Sequence, residues 1–138
     1  MIVNGNEKTE LAIGEDIVKV RLAVRRKLVD LKFSLIGQTK MVTAASEIAR
    51  NTIDYGGGGI LTMEELKDGG RTGLRLIFED HGPGIADMDM AMKDGYTTAH
   101  GLGLGLGGSK RLVNEFSIDS APGGRTRLWL SIEGICFA

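Results

Sequence analysis

The chain has 138 residues, 42% hydrophobic and 25% charged, with Lys+Arg 17 against Asp+Glu 18 and a net charge of -1. A chain of that length makes one domain and buries roughly 68% of its unfolded surface, so it needs no staple, and its one cysteine, Cys136, has no internal partner. The balanced charge speaks against a phosphate-tracking nucleic-acid binder, no apolar run reaches the ~20 residues of a membrane span, and the polar start, Met1 to Glu10, lacks a signal-peptide core. A cytoplasmic domain with no nucleic acid and no membrane among its partners is the expectation.

In chain order, Ile17, Val20, Val24, Leu28 and Leu31 recur every three or four residues and predict a helix with one buried face. Arg21, Arg25, Arg26 and Lys27 surround that stripe as a solvated basic face. A second helix is predicted after the N-cap Ser34, through Met41, Ala45 and Ile48 to about Thr52, stopped by Asp54-Tyr55 and four glycines. Ile60 to Leu66 and Leu74 to Glu79 read as strands joined by a turn over 67–73. A short helix is expected around Met88 to Lys93, and another from Ser109 to Phe116. Strands Ser117 to Ala121 and Thr126 to Ile132 close the chain, the last with a clean period of two. Helices followed by a mainly antiparallel sheet make the class α+β, a two-layer sandwich.

Glycine is the odd figure: 21 of 138, about twice the usual ~7%, clustered at 56–59, 69–73, 82–84 and 101–108. Gly103, Gly105 and Gly108 match a dinucleotide-binding spacing, but the polar Asp94 to His100 precedes them where a buried strand is required. A phosphate loop would place lysine directly after the last glycine, and Ser109-Lys110 has the reverse order. What survives is the chemistry of a glycine run opening a helix, which offers backbone N–H groups and a positive dipole end to an anion. By itself such a run is equally a bare surface loop.

Two other features accompany it. Asp80-His-Gly-Pro-Gly84 puts a carboxylate at a strand end, able to accept from an exocyclic amine, with glycines that let a flat ring approach. Glu47 and Asn51, four apart, share a helix face and offer oxygen ligands to Mg²⁺ and its waters. Read separately, the first is also an ordinary turn and the second a solvated pair.

The order Glu47-x-x-x-Asn51, Asp80-x-Gly82-x-Gly84, Gly101-x-Gly103-x-Gly105 resembles the N, G1 and G2 boxes of the GHKL ATP-binding superfamily. The resemblance runs from about Asp16 to Ile132 and implies a single GHKL (Bergerat) ATP-binding domain over residues 1–138, a two-layer sandwich with a mixed, mainly antiparallel sheet. The length leaves no room for the further domains of gyrase, Hsp90 or MutL. His81 and His100 lie in the boxes rather than on a long helix, which speaks against autophosphorylation on histidine. Ser46-Glu-Ile-Ala-Arg-Asn51, Glu79-Asp-His-Gly-Pro-Gly-Ile85, Asp94-Gly-Tyr-Thr-Thr98 and Lys110-Arg-Leu-Val-Asn-Glu-Phe-Ser117 look most like the stand-alone bacterial branch of anti-sigma factors and serine/threonine kinases, in particular the stressosome switch kinases.

That resemblance implies an ATP-dependent serine/threonine kinase of partner-switching signalling, acting on a STAS-domain antagonist and passing to a phosphatase or sigma factor as alternative partner. It also leaves room for a sigma-sequestering factor or a nucleotide-binding regulator of a phosphatase. Residue by residue it implies Glu47 as general base or as the group that orients the attacking hydroxyl, Asn51 on Mg²⁺, Asp80 on the adenine amino group, and Gly82, Gly84 and Ile85 around the base. Gly101, Leu102, Gly103, Leu104 and Gly105 would form the lid, and Thr126 would support Asp80 through water. Arg50 is a candidate for substrate or phosphate and equally a structural surface arginine, and Lys110 is a candidate for phosphate. One departure stands out: Arg125 occupies the place of a glycine in the last family box.

Overall fold

The computed structural model describes residues 2–54, 56–80, 82, 108, 110–120 and 126–135. Its elements are β1 (Ile2–Leu11), α1 (Asp16–Asp30), α2 (Leu35–Asp54), β2 (Gly59–Asp68), β3 (Arg71–Asp80), β4 (Glu115–Ser120) and β5 (Thr126–Ile135). The strands form one sheet in the order β1-β2-β3-β5-β4, and every ladder is antiparallel. Helices α1 and α2 cover one face of it, giving the expected two-layer α+β sandwich.

The core follows from two periodicities meeting. Leu74, Leu76 and Phe78 alternate along β3 and are almost fully buried, as are Val20, Val24 and Leu28 on α1 and Met41, Ala45 and Ile48 on α2. Each such side chain contributes about 1.5–3 kcal/mol when taken out of water. The opposite sheet face is more polar, with Glu64 and Arg75 directly across from each other in register and ion-paired at 3.2 Å. A one-residue slip would exchange the two faces, so the register is strongly specified.

Three sequence expectations change. The polar segment Ile2–Leu11 is a strand, so the sheet begins before the helices, and Leu11, 1% exposed, extends the core ahead of Asp16. The β2–β3 turn is tighter than 67–73, because Gly69 adopts φ +63° and lets Asp68 pair with Arg71. Helix does not continue to Phe116: it ends with Lys110 and Arg111, and β4 starts at Glu115. Leu112, Val113 and Phe116 suit either a helix or a strand; Phe116 and Ile118, alternating with polar neighbours, pack on the core as a strand does. The expected helix at 88–93 lies outside the described residues. Among the described residues no helix is long and apolar enough to cross a membrane.

Entry into α1 is held by Asp16, whose carboxylate accepts the N–H groups of Ala12 (2.8 Å) and Ile13 (3.0 Å) and lies 3.5 Å from Lys19. The Ile13 and then the Ala12 hydrogen bond hold its carboxyl below the ordinary 3.8. A depressed carboxyl stabilises the fold above its ordinary value, and that contribution disappears as pH falls through the folded one. Asp16→Ala should therefore unfold at a lower temperature than wild type at pH 7, with the gap closing below pH 3.8; thermal melts followed by circular dichroism across pH check this.

Candidate active site

The structure brings the C-terminal end of α2 against the end of β3. Helix α2 packs on β3, and the glycine run turns the chain back sharply after Asp54. The Gly56 N–H donates to the Asn51 carbonyl at 3.3 Å, and the Gly58 N–H to the Thr52 carbonyl at 3.0 Å, satisfying the last carbonyls of α2. Gly57 and Gly58 take φ +71° and +105°, the left-handed region that favours glycine.

Gly56 is then buried against Asp80. A Cβ there would lie 2.5 Å from the Asp80 carboxyl carbon and 2.6 Å from the Thr52 carbonyl oxygen. One step on, a Cβ at Gly82 would lie 2.6 Å from the Gly56 Cα. Asp80, 8% exposed, accepts the Gly82 N–H at 2.9 Å, which fixes the turn beyond the strand. The end of α2 and the Asp-x-Gly turn thus meet through the Gly56 and Gly82 backbones and the Asp80 carboxylate. In the sequence Gly56 and Gly59 read only as a helix stop; the length of that run, four glycines where a cap needs one, is the signal that more is asked of them.

Asn51 is half-buried and Glu47 is 1% exposed, one turn apart on the same flank of α2. Neither Glu47 nor Asp80 is without a partner. Thr126 opens β5, and because Glu79 pairs with Arg127, the next step of the antiparallel ladder brings Thr126 level with Asp80. Lys110 is exposed and Arg50 half-buried. Gly84, Ile85, Gly101, Leu102, Gly103, Leu104, Gly105 and Arg125 lie outside the described residues.

Chemically, a strand-end carboxylate can accept from an amino group, while Glu47 and Asn51 present oxygen donors a short way off. No group of three or more His, Cys, Asp or Glu that could hold a metal exists among the described residues. One or two protein oxygens suit Mg²⁺, which retains waters and takes the rest of its shell from phosphates.

Residues 37–134 match the family of histidine kinase-, DNA gyrase B- and HSP90-like ATPases. The chain belongs to this family and uses ATP. Within it, this is a protein serine/threonine kinase: it is 44% identical over 113 residues to serine/threonine-protein kinase RsbT of Bacillus subtilis (strain 168), covering 82% of this chain and 85% of that one. Among solved structures, the SiaB–SiaC complex from Pseudomonas aeruginosa shares the fold with a TM-score of 0.53 at 14% identity, over 96% of this chain and 91% of that one. The histidine kinase AdeS of Acinetobacter baumannii does so with a TM-score of 0.50 at 20% identity, over 91% of this chain and 66% of that one.

The closeness of these backbones sets a stability test. A Cβ at Gly59 would overlap the Glu79 carbonyl within the β2–β3 ladder, whereas a Cβ at Gly70 meets nothing within 4 Å. Gly59→Ala should cost about 1–3 kcal/mol, the range for overpacking, and Gly70→Ala should cost far less; urea unfolding midpoints of the two variants decide it.

Proposed function

We propose that the kinase transfers the γ-phosphoryl group of ATP to a serine or threonine of a STAS-domain antagonist, then engages an alternative partner such as a phosphatase. The observation that supports this reading of the site is the contact of the α2 end with Asp80 through Gly56. Asp80 accepts the adenine amino group, with Thr126 at the same level and Gly82 keeping the adjoining wall flat. Asn51 would hold Mg²⁺, which would supply charge neutralisation to the phosphates. The glycines at 101–105 provide N–H groups to the phosphates.

Glu47 stands one turn from Asn51 and takes the proton of the attacking hydroxyl. In the transfer, the acceptor oxygen forms a bond to the γ-phosphorus, the bond to the ADP oxygen breaks, and ADP leaves with that electron pair. Little other covalent work falls to the protein, since positioning and electrostatics carry most of phosphoryl transfer. Glu47 is held within α2, so its position is set by helix geometry rather than by a loop.

The test is transfer of label from terminally labelled ATP, with Mg²⁺, to the STAS-domain protein encoded nearest this chain. Wild type should label it. Glu47→Ala should slow transfer about 10²–10⁴-fold, the usual worth of a general base, and Asn51→Asp should abolish it. Asp80→Asn should weaken ATP binding itself, read by calorimetry. Full transfer in both the Glu47 and Asn51 variants would overturn the assignment.

A further inference from the structure

Arg50 lies between the proposed phosphate and base residues in sequence, and it is half-buried. Two carboxylates stand at helical pairing distances from it on α2, Glu47 three residues before and Asp54 four after. Arg50 makes an ion pair with neither, and no hydrogen bond engages its guanidinium among the described residues. By contrast Lys27, Arg25 and Arg75 each find an acceptor on a neighbouring element. A guanidinium has five donors and no acceptor of its own, so an incoming acceptor is favoured there.

Position around α2 decides which acceptor. At 3.6 residues per turn, Glu47 lies about 40° and Arg50 about 100° round from Asn51, both turning away from the core-facing stripe of Met41, Ala45 and Ile48. Around α2 the order is Asn51, proposed for the phosphates, then Glu47 for the attacking hydroxyl, 1% exposed, and then Arg50, half-buried. A side chain one step beyond the attacking hydroxyl faces the protein that carries it.

We infer that Arg50 is a specificity-determining residue for the acceptor protein, receiving a carboxylate that flanks the acceptor serine or threonine. This rests on the placement of Asn51 and Glu47 proposed above. Arginine suits the task because its planar fork meets a carboxylate bidentately, which fixes orientation as well as charge. Acceptors with an acidic residue beside the phosphorylated position are therefore preferred over those with a neutral or basic one.

The experiment is steady-state transfer to the STAS-domain protein encoded nearest this chain, using wild type, Arg50→Lys, Arg50→Ala and Arg50→Glu, with ATP affinity measured separately. The acceptor KM should rise roughly tenfold in Arg50→Ala, more in Arg50→Glu and least in Arg50→Lys, while kcat and ATP affinity hold. A fall in kcat at unchanged acceptor KM would assign Arg50 to the phosphoryl group and overturn the inference. Unchanged constants, or parallel loss of kcat and ATP affinity, would overturn it too. Should Arg50→Ala fail to fold, the acceptor KM of Arg50→Lys decides the matter by itself. Glu47→Ala and Asn51→Asp run alongside: full transfer there sinks the site reading itself, whereas loss there with wild-type behaviour at Arg50 sinks only this inference.

Discussion

The contact on which the site depends is the backbone closure between the end of α2 and the end of β3. Gly56 fits against the Asp80 carboxylate and the Thr52 carbonyl only because it has no side chain, and Gly82 fits against Gly56 for the same reason. The proposed site residues Glu47, Asn51 and Asp80 thereby sit on two rigid elements brought together at one short turn. Residues set on a helix and a strand hold their geometry more closely than residues on loops. The cost is a stretch of chain with high conformational freedom when unfolded, since glycine loses more entropy on ordering than any other residue. Hydrogen bonds from Gly56 and Gly58 to the last carbonyls of α2 offset part of that loss.

The rest of the fold keeps those two elements in place. Three buried apolar side chains of β3 lie beneath α1 and α2, and their burial outweighs any exposed ion pair, where the usual worth is only about 0–1 kcal/mol. The Lys27–Glu65 pair is better placed than most: its nitrogen and oxygen are 2.9 Å apart, with both side chains largely buried, and it ties α1 to β2. The hydrogen bond from Lys27 to Glu65 raises the lysine above its ordinary 10.5, so its contribution is intact through neutral pH and is lost only as pH rises through the folded value. Asp16 and Lys27 therefore fail at opposite ends of the pH scale, and the helical layer is electrostatically secure between them.

Legibility in the sequence tracks the strength of periodicity. Helices α1 and α2 are visible because Val20, Val24 and Leu28, and Met41, Ala45 and Ile48, repeat cleanly and end at recognisable stops. Strand β1 is not, since Asn4 to Glu10 is dominated by polar residues and its ladder with β2 shifts register between Asn4 and Glu7. Such a strand is recruited by its neighbour's unpaired backbone groups, which its own sequence cannot announce. Phe116 reads wrongly as helical because one apolar spacing serves two periods until the partner strand chooses between them. The site residues Glu47, Asn51 and Asp80 are legible from spacing and resemblance together; Gly56 is not, because its importance lies in a tertiary approach.

The charge layout explains why the two carboxylates occupy such different positions. ATP brings several negative charges, and a carboxylate beside the phosphates repels them strongly where water is scarce. Asp80 is placed at the sheet end, where its proposed partner is the neutral adenine rather than the phosphates. Glu47, by contrast, is proposed to stand near the reacting hydroxyl, where a negative charge helps remove a proton but opposes phosphate binding. Cations must balance that conflict. In the proposed arrangement Mg²⁺ held by Asn51 would do so on the nucleotide side, which leaves Arg50, the α2 cation three residues from Glu47, for the acceptor side. In that arrangement nucleotide and acceptor draw on different cations, so a change at Arg50 alters acceptor engagement and leaves nucleotide engagement in place.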